Sequence, residues 1–321
     1  MNGAGFTVLS ASVAAAASPS SLDIAGAPTS LTFGGSLTAA VPAGGAAVVS
    51  DAVTMPVTSG KTVEVTVTAS AGDAPTRSLT PEPASCTDGA LAGAATAAGS
   101  AFGTVSHTHW LSGIQVNGPK QESLLVLGTS ITASSYQAGF GPYRWTDLLM
   151  PSGISVANDG VGGSEISQSG LYGSVDGITR LKVLLREPYA TWLVIEQGTN
   201  DLAAGVSSDT LLAALSQAAS MGTAQTLNTV VATLSPRQGI AGWTAAMEAA
   251  RVQVNTTLTT GTWASSRGVK ILDLDKLLQD PANPSVLNPA YDSGDHLHPN
   301  ASGDHVIAVA VAQMMGLSGV T

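Results

Sequence analysis

At 321 residues the chain is long enough for two domains, because single hydrophobic cores stop growing near about 250–300 residues. Only 11% of its residues are charged and the formal net charge is -10, which excludes partners that need a basic patch, nucleic acid and anionic membrane surfaces among them. A single cysteine, Cys86, excludes an intramolecular disulfide and a cysteine-cluster metal site, and no run of about 18 apolar residues is present to span a bilayer.

The first elements are short and β-rich. Residues 6–13, 30–33, 46–49, 61–68 and 109–116 read as strands separated by Gly, Pro and Ser, and no helical period runs through them. The stretch from Thr62 to Thr68 alternates strictly, so that Val63, Val65 and Val67 share one face. This pattern predicts a small all-β sandwich over residues 1–118, of jelly-roll-like type, with an irregular Gly/Ala/Ser/Pro insertion over 71–101. Residues 8–17 are Ala-rich like the apolar part of a signal peptide, yet no Lys or Arg precedes them and β-branched residues alternate into them. They are read as a strand of a mature or truncated chain. The small-residue composition suits an exported protein, and a secreted or extracytoplasmic location is expected.

After the linker Asn117-Gly118-Pro119 the texture changes to alternating strand and helix. Apolar runs at 124–127, 154–157, 192–195, 230–234 and 269–272 predict five strands, and helical patterns fall at 178–186, 210–221, 244–258 and 301–315. Strands separated by helices of this length predict βαβ crossovers, hence a three-layer α/β/α sandwich with a five-stranded parallel sheet over residues 119–321.

Each of the first three of these strands runs into a small polar motif. Gly128-Thr129-Ser130 follows the first, Asn158-Asp159-Gly160-Val161-Gly162-Gly163 the second and Gly198-Thr199-Asn200-Asp201 the third, while Asp295-His296-Leu297-His298-Pro299 stands near the end. In a parallel sheet the carboxyl-end loops gather on one edge, so a serine, a Gly-rich turn, an asparagine and an Asp/His pair converge there. A serine hydroxyl is a weak nucleophile until a base takes its proton, and an imidazole suits that task. His298 is the candidate base, Asp295 its orienting carboxylate, and Asp292 an alternative partner for the same imidazole.

In these blocks the chain resembles the SGNH, or GDSL, family of serine esterases and lipases, over about residues 122–315. Ser130 matches the family's nucleophile, Gly163 its block glycine, Asn200 its asparagine, and Asp295 with His298 the Asp-x-x-His-Pro pair. The resemblance implies an SGNH, flavodoxin-like fold, with catalytic residues Ser130, Asp295 and His298. It also implies an oxyanion hole from the N–H groups of Ser130 and Gly163 and the Asn200 amide. No cofactor and no metal are implied. The expected activity is carboxylic ester hydrolysis through an acyl-enzyme, with a short-acyl preference because no lid-like amphipathic segment is present. A carbohydrate O-acetyl esterase, an acyltransferase of the same fold and a non-catalytic carbohydrate-binding protein stand as alternatives. The expected partner is a small ester or an acetylated carbohydrate, and the sequence leaves the oligomeric state open. Thr129 replaces the family's usual aspartate, which predicts altered rigidity of the nucleophile loop without loss of the nucleophile.

Other polar and aromatic residues have plainer readings. His296 and His298 form a possible metal pair, but alternate residues of an extended chain face opposite ways. His107, His109 and His305 are read as structural, Trp145 and Trp243 as core residues or pocket walls, and Asp201 as a helix cap.

Overall fold

The structure, a computed structural model, describes residues 6–15, 24–42, 48–56, 63–69, 122–133, 144–170, 174–186 and 190–320. The chain divides into two compact units, one drawing mainly on residues 1–118 and the other on residues 119–321. The insertion at 71–101, the strand expected at 109–116, the linker at 117–119, Cys86, His107 and His109 all lie outside the described residues.

In the first unit the described residues form an antiparallel sheet around β1 (Phe6–Ala15), with β2 (Thr29–Ser30), β3 (Ala39–Val41) and β4 (Val63–Ala69) as its neighbours. β4 pairs along most of β1, from Val8↔Ala69 to Ala15↔Val63, while β3 takes Phe6 to Val8 and β2 takes Ser12 and Val13. Val8, Ala11, Val13 and Ala14 are buried, and a register shift between Val8 and Ser10 accounts for the break in strict alternation. The strand expected at 46–49 is not formed at Val48 and Val49, and Val49 is 68% exposed. That segment instead returns Asp51 to the 32–35 turn. There the Asp51 carboxylate accepts hydrogen bonds from Thr32 Oγ1 and from the Gly34 and Gly35 N–H groups. The third strand sits earlier than expected, at β3.

The second unit is a doubly wound α/β sheet. Its strands are β5 (Ser123–Gly128), β6 (Ser155–Gly160), β7 (Trp192–Ile195), β8 (Asn228–Ala232) and β9 (Lys270–Leu272), all parallel in the spatial order β6-β5-β7-β8-β9. The helices are α1 (Ser130–Ala133), α2 (Gly177–Leu184), α3 (Thr199–Ala203), α4 (Ser208–Ala224), α5 (Ala245–Thr259), α6 (Leu274–Leu278) and α7 (Ala301–Met315). A hairpin of β10 (Gln279–Asp280) and β11 (Asn283–Leu287) lies between the last two helices; the sequence pattern did not reveal it.

Apolar runs buried on both faces produce this sheet. Leu124, Val126, Trp192, Val194, Val230 and Ala232 share one core with Leu274, Leu278, Ile307 and Val311 of α6 and α7. Leu125, Leu127, Leu193, Ile195 and Val231 face the other way, into a second core with Leu181, Leu211, Leu215, Val254 and Leu258 of α2, α4 and α5. The two-residue period of the strands thus splits each apolar run between two layers of helix. Burying a side chain of this size stabilises the fold by about 1.5–3 kcal/mol, so the two cores make the sheet a stiff platform for its edge loops.

The strand order reverses direction between β5 and β7, because β6 is added on one side of β5 and the later strands on the other. Loops leaving β5 and β7 therefore diverge and open a crevice at their carboxyl ends, the position where such sheets bind ligands. Asn158, Asp159 and Gly160, expected as a loop, belong to β6: Leu127 pairs with Asp159 and Gly128 with Gly160. Pairing with β5 overrides the turn-like composition. Asn158 satisfies itself in the strand by donating to Thr132 O and Thr146 Oγ1 and accepting from the Gly160 N–H. Gly160 is required by the close approach of α1, since a Cβ there would meet the Ala133 nitrogen at 2.5 Å.

Candidate active site

Ser130 is the first residue of α1, two residues beyond the end of β5, and is 8% exposed. The turn that delivers it is held from below by Glu196, the residue after β7. The Glu196 carboxylate accepts the Thr129 N–H at 2.9 Å, the Thr129 hydroxyl at 2.8 Å and the Thr132 hydroxyl at 3.0 Å. Thr129 therefore does not leave the loop without a carboxylate anchor; the neighbouring strand supplies one. Burial pushes the Glu196 carboxyl up to about 7, against the opposing hydrogen bonds from Thr129 and Thr132. Sequence reasoning missed this residue, although a charged side chain directly after a fully apolar strand was a visible signal.

His298 comes to Ser130 from the far end of the chain. Its Nε2 lies 2.8 Å from Ser130 Oγ and its Nδ1 2.6 Å from Asp295 Oδ2. An ionised carboxylate only accepts, so Nδ1 carries the proton and Nε2 is left as acceptor for the serine hydroxyl. The other carboxylate oxygen of Asp295 accepts the backbone N–H groups of Leu297 and His298 at 2.9 and 2.8 Å. Partial burial opposes ionisation of Asp295, but the hydrogen bonds from His298 and Leu297 outweigh it and bring its carboxyl down to about 2. His298 is 5% exposed; burial lowers its pKa below the usual imidazole value, Arg237 adds to this, and Asp295 and Asp292 oppose it.

Gly163 and Asn200 lie at the same edge. Gly163 has φ 68°, a conformation that a side chain disfavours, in the turn that follows β6. Asn200, on the first turn of α3, donates its amide Nδ2 to Ser164 O at 3.0 Å. Neither the Ser130 nor the Gly163 N–H has an intramolecular acceptor among the described residues. The glycine turn is braced by Arg180, whose guanidinium pairs with the Asp159 carboxylate, donates to Asp159 O and binds Ser164 Oγ.

The structure thus brings Ser130, His298 and Asp295 into one hydrogen-bonded chain and places Gly163, in the turn after β6, and Asn200, at the start of α3, at the same edge of the sheet. The carboxylate hydrogen-bonded to His298 is Asp295 and not Asp292, which acts on the imidazole only as a nearby charge. The Asp292 carboxylate holds His296, at 2.8 Å to Nδ1 and 3.0 Å to the backbone nitrogen, with His296 in a left-handed conformation of φ 64°. No cluster of three or more metal-ligating side chains occurs among the described residues. Trp145 is a core residue at 1% exposure, and Trp243 lies under the Arg237 guanidinium at 5.1 Å. His305 lies inside α7, which is capped by Asn300. Asp201 does not cap the following helix, a task done by Ser207; it accepts three hydrogen bonds from Ile166 and Ser167. Arg237, in the loop after β8, is the second functional candidate that sequence reasoning missed. Its signal was a lone cation in Ser-Pro-Arg at the active edge of the sheet.

A family model described as GDSL-like lipase/acylhydrolase matches residues 126–306. Among solved structures the chain is similar to a GDSL-like lipase from Bacteroides thetaiotaomicron, at 15% identity and TM-score 0.48, with 63% of this chain and 92% of that one covered. It is similar also to an esterase from Pseudoalteromonas sp., at 16% identity and TM-score 0.44, with 61% and 97% covered. An acetylxylan esterase from Geobacillus stearothermophilus aligns at 18% identity and TM-score 0.45, over 61% of this chain and 95% of that one. No curated protein sequence matches the chain. No helix among the described residues is long and apolar enough to cross a membrane.

Proposed function

Because the chain belongs to the GDSL-like lipase/acylhydrolase family, we propose that it hydrolyses carboxylic esters through an acyl-enzyme on Ser130. The observation that carries this reading is the unbroken chain from Ser130 Oγ through His298 to Asp295, at 2.8 and 2.6 Å, at the reversal point of the sheet. In the first half-reaction Ser130 Oγ attacks the ester carbonyl carbon while His298 Nε2 takes the hydroxyl proton. The C–O bond to the alcohol then breaks, and His298 returns the proton to the leaving alkoxide. Water repeats the sequence on the acyl-serine and releases the carboxylic acid. Asp295 keeps the imidazole in the tautomer that accepts at Nε2 and stabilises the imidazolium between the two proton transfers. The negative charge on the tetrahedral oxygen is met by the Ser130 and Gly163 N–H groups and by the Asn200 amide, whose second N–H remains for it after the bond to Ser164 O.

Turnover of p-nitrophenyl acetate together with covalent labelling of Ser130 by an organophosphate tests the proposal. Labelling at Ser130, located by peptide mass spectrometry, is the expected result; a protein that neither cleaves the ester nor accepts the label overturns it.

The pH profile has a fixed direction. A base acts only when neutral, so kcat/KM is expected to fall as pH drops through the His298 pKa, which burial lowers from its ordinary value. The acidic limb should then sit below about pH 6.5, the unperturbed imidazole value. A profile whose acidic limb lies well above that value would point to another base.

The acyl preference follows from the absence of a lid-like segment. A long chain needs an extended apolar groove that removes about 0.8 kcal/mol per methylene from water, and the sequence between 132 and 153 offers only a Gly-rich stretch and a short 3-10 turn at Asp147–Ser152. Acetyl to hexanoyl esters are expected to give the highest kcat/KM in a p-nitrophenyl ester series, and an optimum at ten carbons or more would refute the preference. Residues 1–118 are proposed as an accessory β domain that takes no part in the chemistry.

A further inference from the structure

We infer that Arg237, a cation with no part in the proton transfers above, is a positioning residue that fixes the Asn200 amide for the oxyanion. The inference rests on the proposed roles of Ser130 and Asn200. Arg237 is 9% exposed, and no carboxylate lies within ion-pair distance of it among the described residues. Its Nη1 donates to Thr199 O and Thr199 Oγ1, each at 3.0 Å, and reaches Asn200 Oδ1 at 3.4 Å, while Nε is buried without a partner. A guanidinium can only donate and a carbonyl can only accept, so Arg237 on one end and Ser164 O on the other dictate which end of the Asn200 amide is oxygen and which is nitrogen. With Nδ2 turned to Ser164 O, the remaining amide N–H is held in one direction. Remove Arg237 and only the Ser164 contact resists rotation of the amide. The guanidinium is also fixed in place, packed over Trp243 and bonded through Nη1 to both Thr199 oxygens at the start of α3.

The same cation faces the imidazole, and this gives a second readout. Among the described residues, Asp295 and Asp292 favour protonation of His298, and Arg237, with burial, disfavours it. Neutralising Arg237 should therefore move the acidic limb of kcat/KM to higher pH. A residue that only filled space would leave the limb in place.

The experiment measures kcat, KM and the pH profile on p-nitrophenyl acetate for wild type, Asn200→Ala, Arg237→Met, Arg237→Lys and the Arg237→Met/Asn200→Ala pair. Arg237→Met is expected to lower kcat by roughly tenfold or more with KM little changed, less than the roughly 10²–10³ loss for deleting the Asn200 donor itself. In the Asn200→Ala background the same change should cost no more than about twofold, since the amide it positions is gone. Equal losses in both backgrounds, or a change confined to KM, would overturn the inference. Should Arg237→Met fail to fold, Arg237→Lys carries the test: it keeps the charge and so the acidic limb, but lacks the rigid planar group that Trp243 holds in place to aim Nη1, and loses kcat. A lysine variant with wild-type kcat overturns the positioning role. A wild-type protein without ester turnover removes this inference together with the reading beneath it, whereas an active wild type with indifferent Arg237 variants removes this inference alone.

Discussion

Ser130→Ala is expected to abolish ester turnover, with a loss on the order of 10⁶ in kcat, and to leave the fold intact. The size of the loss follows from the covalent step: without Oγ no acyl-enzyme forms, and what remains is the residual rate that oxyanion donors and substrate binding supply alone. The fold survives because the change removes one oxygen from a small side chain at the rim of a crevice. The cost is the unmet acceptor at His298 Nε2, about 1–3 kcal/mol if no water replaces the hydroxyl. Calorimetry beside the kinetic assay separates the two effects. A variant that keeps more than about a hundredth of wild-type kcat would show that Ser130 is not the nucleophile, since a single positioned donor already accounts for a factor of that size. His298→Ala should be as damaging, and the double variant no worse than either single one, because the residues act as a unit.

The sheet was readable from sequence because parallel strands buried on both faces are written as uninterrupted apolar runs. Trp192 to Ile195 was placed to the residue, and the end of β6 was misjudged for a local reason. Asn158-Asp159-Gly160 reads as a turn by composition, yet β5 and Arg180 give its polar groups partners inside the strand. Short pieces such as α3, α6 and the β10–β11 hairpin carry too few residues for a period to emerge. That Ser130, His298 and Asp295 would meet was legible because each lies in a recognisable block at the active edge of the sheet. Glu196 and Arg237 were not, because each works by reaching across to a different strand's loop, Glu196 to Thr129 and Arg237 to Thr199 and Asn200. Spacing along the chain contains no trace of such cross-loop contacts.

Asp201→Ala should produce the largest loss of stability of any single substitution near the site. The side chain is fully buried and its carboxylate accepts from Ile166 N at 3.0 Å, Ser167 N at 3.0 Å and Ser167 Oγ at 2.7 Å. Alanine leaves these donors without their acceptor, at about 1–3 kcal/mol for each that stays unmet. A total of at least about 3 kcal/mol is expected, which for a domain of about 200 residues lowers Tm by roughly 6–12 °C. Asparagine should not rescue it, because its amide would turn an N–H toward either the Ile166 N–H or the Ser167 donors, and like ends repel. Activity should fall as well. The segment that Asp201 pins continues from Gly163 and Ser164, which supply one proposed oxyanion N–H and the carbonyl that orients the Asn200 amide. Loosening it should lower kcat more than it raises KM, since the oxyanion exists only in the transition state. A variant that melts within about 2 °C of wild type would mean that water reaches the Ile166 and Ser167 N–H groups after all. Wild-type kcat in a destabilised variant would separate this clamp from the oxyanion hole.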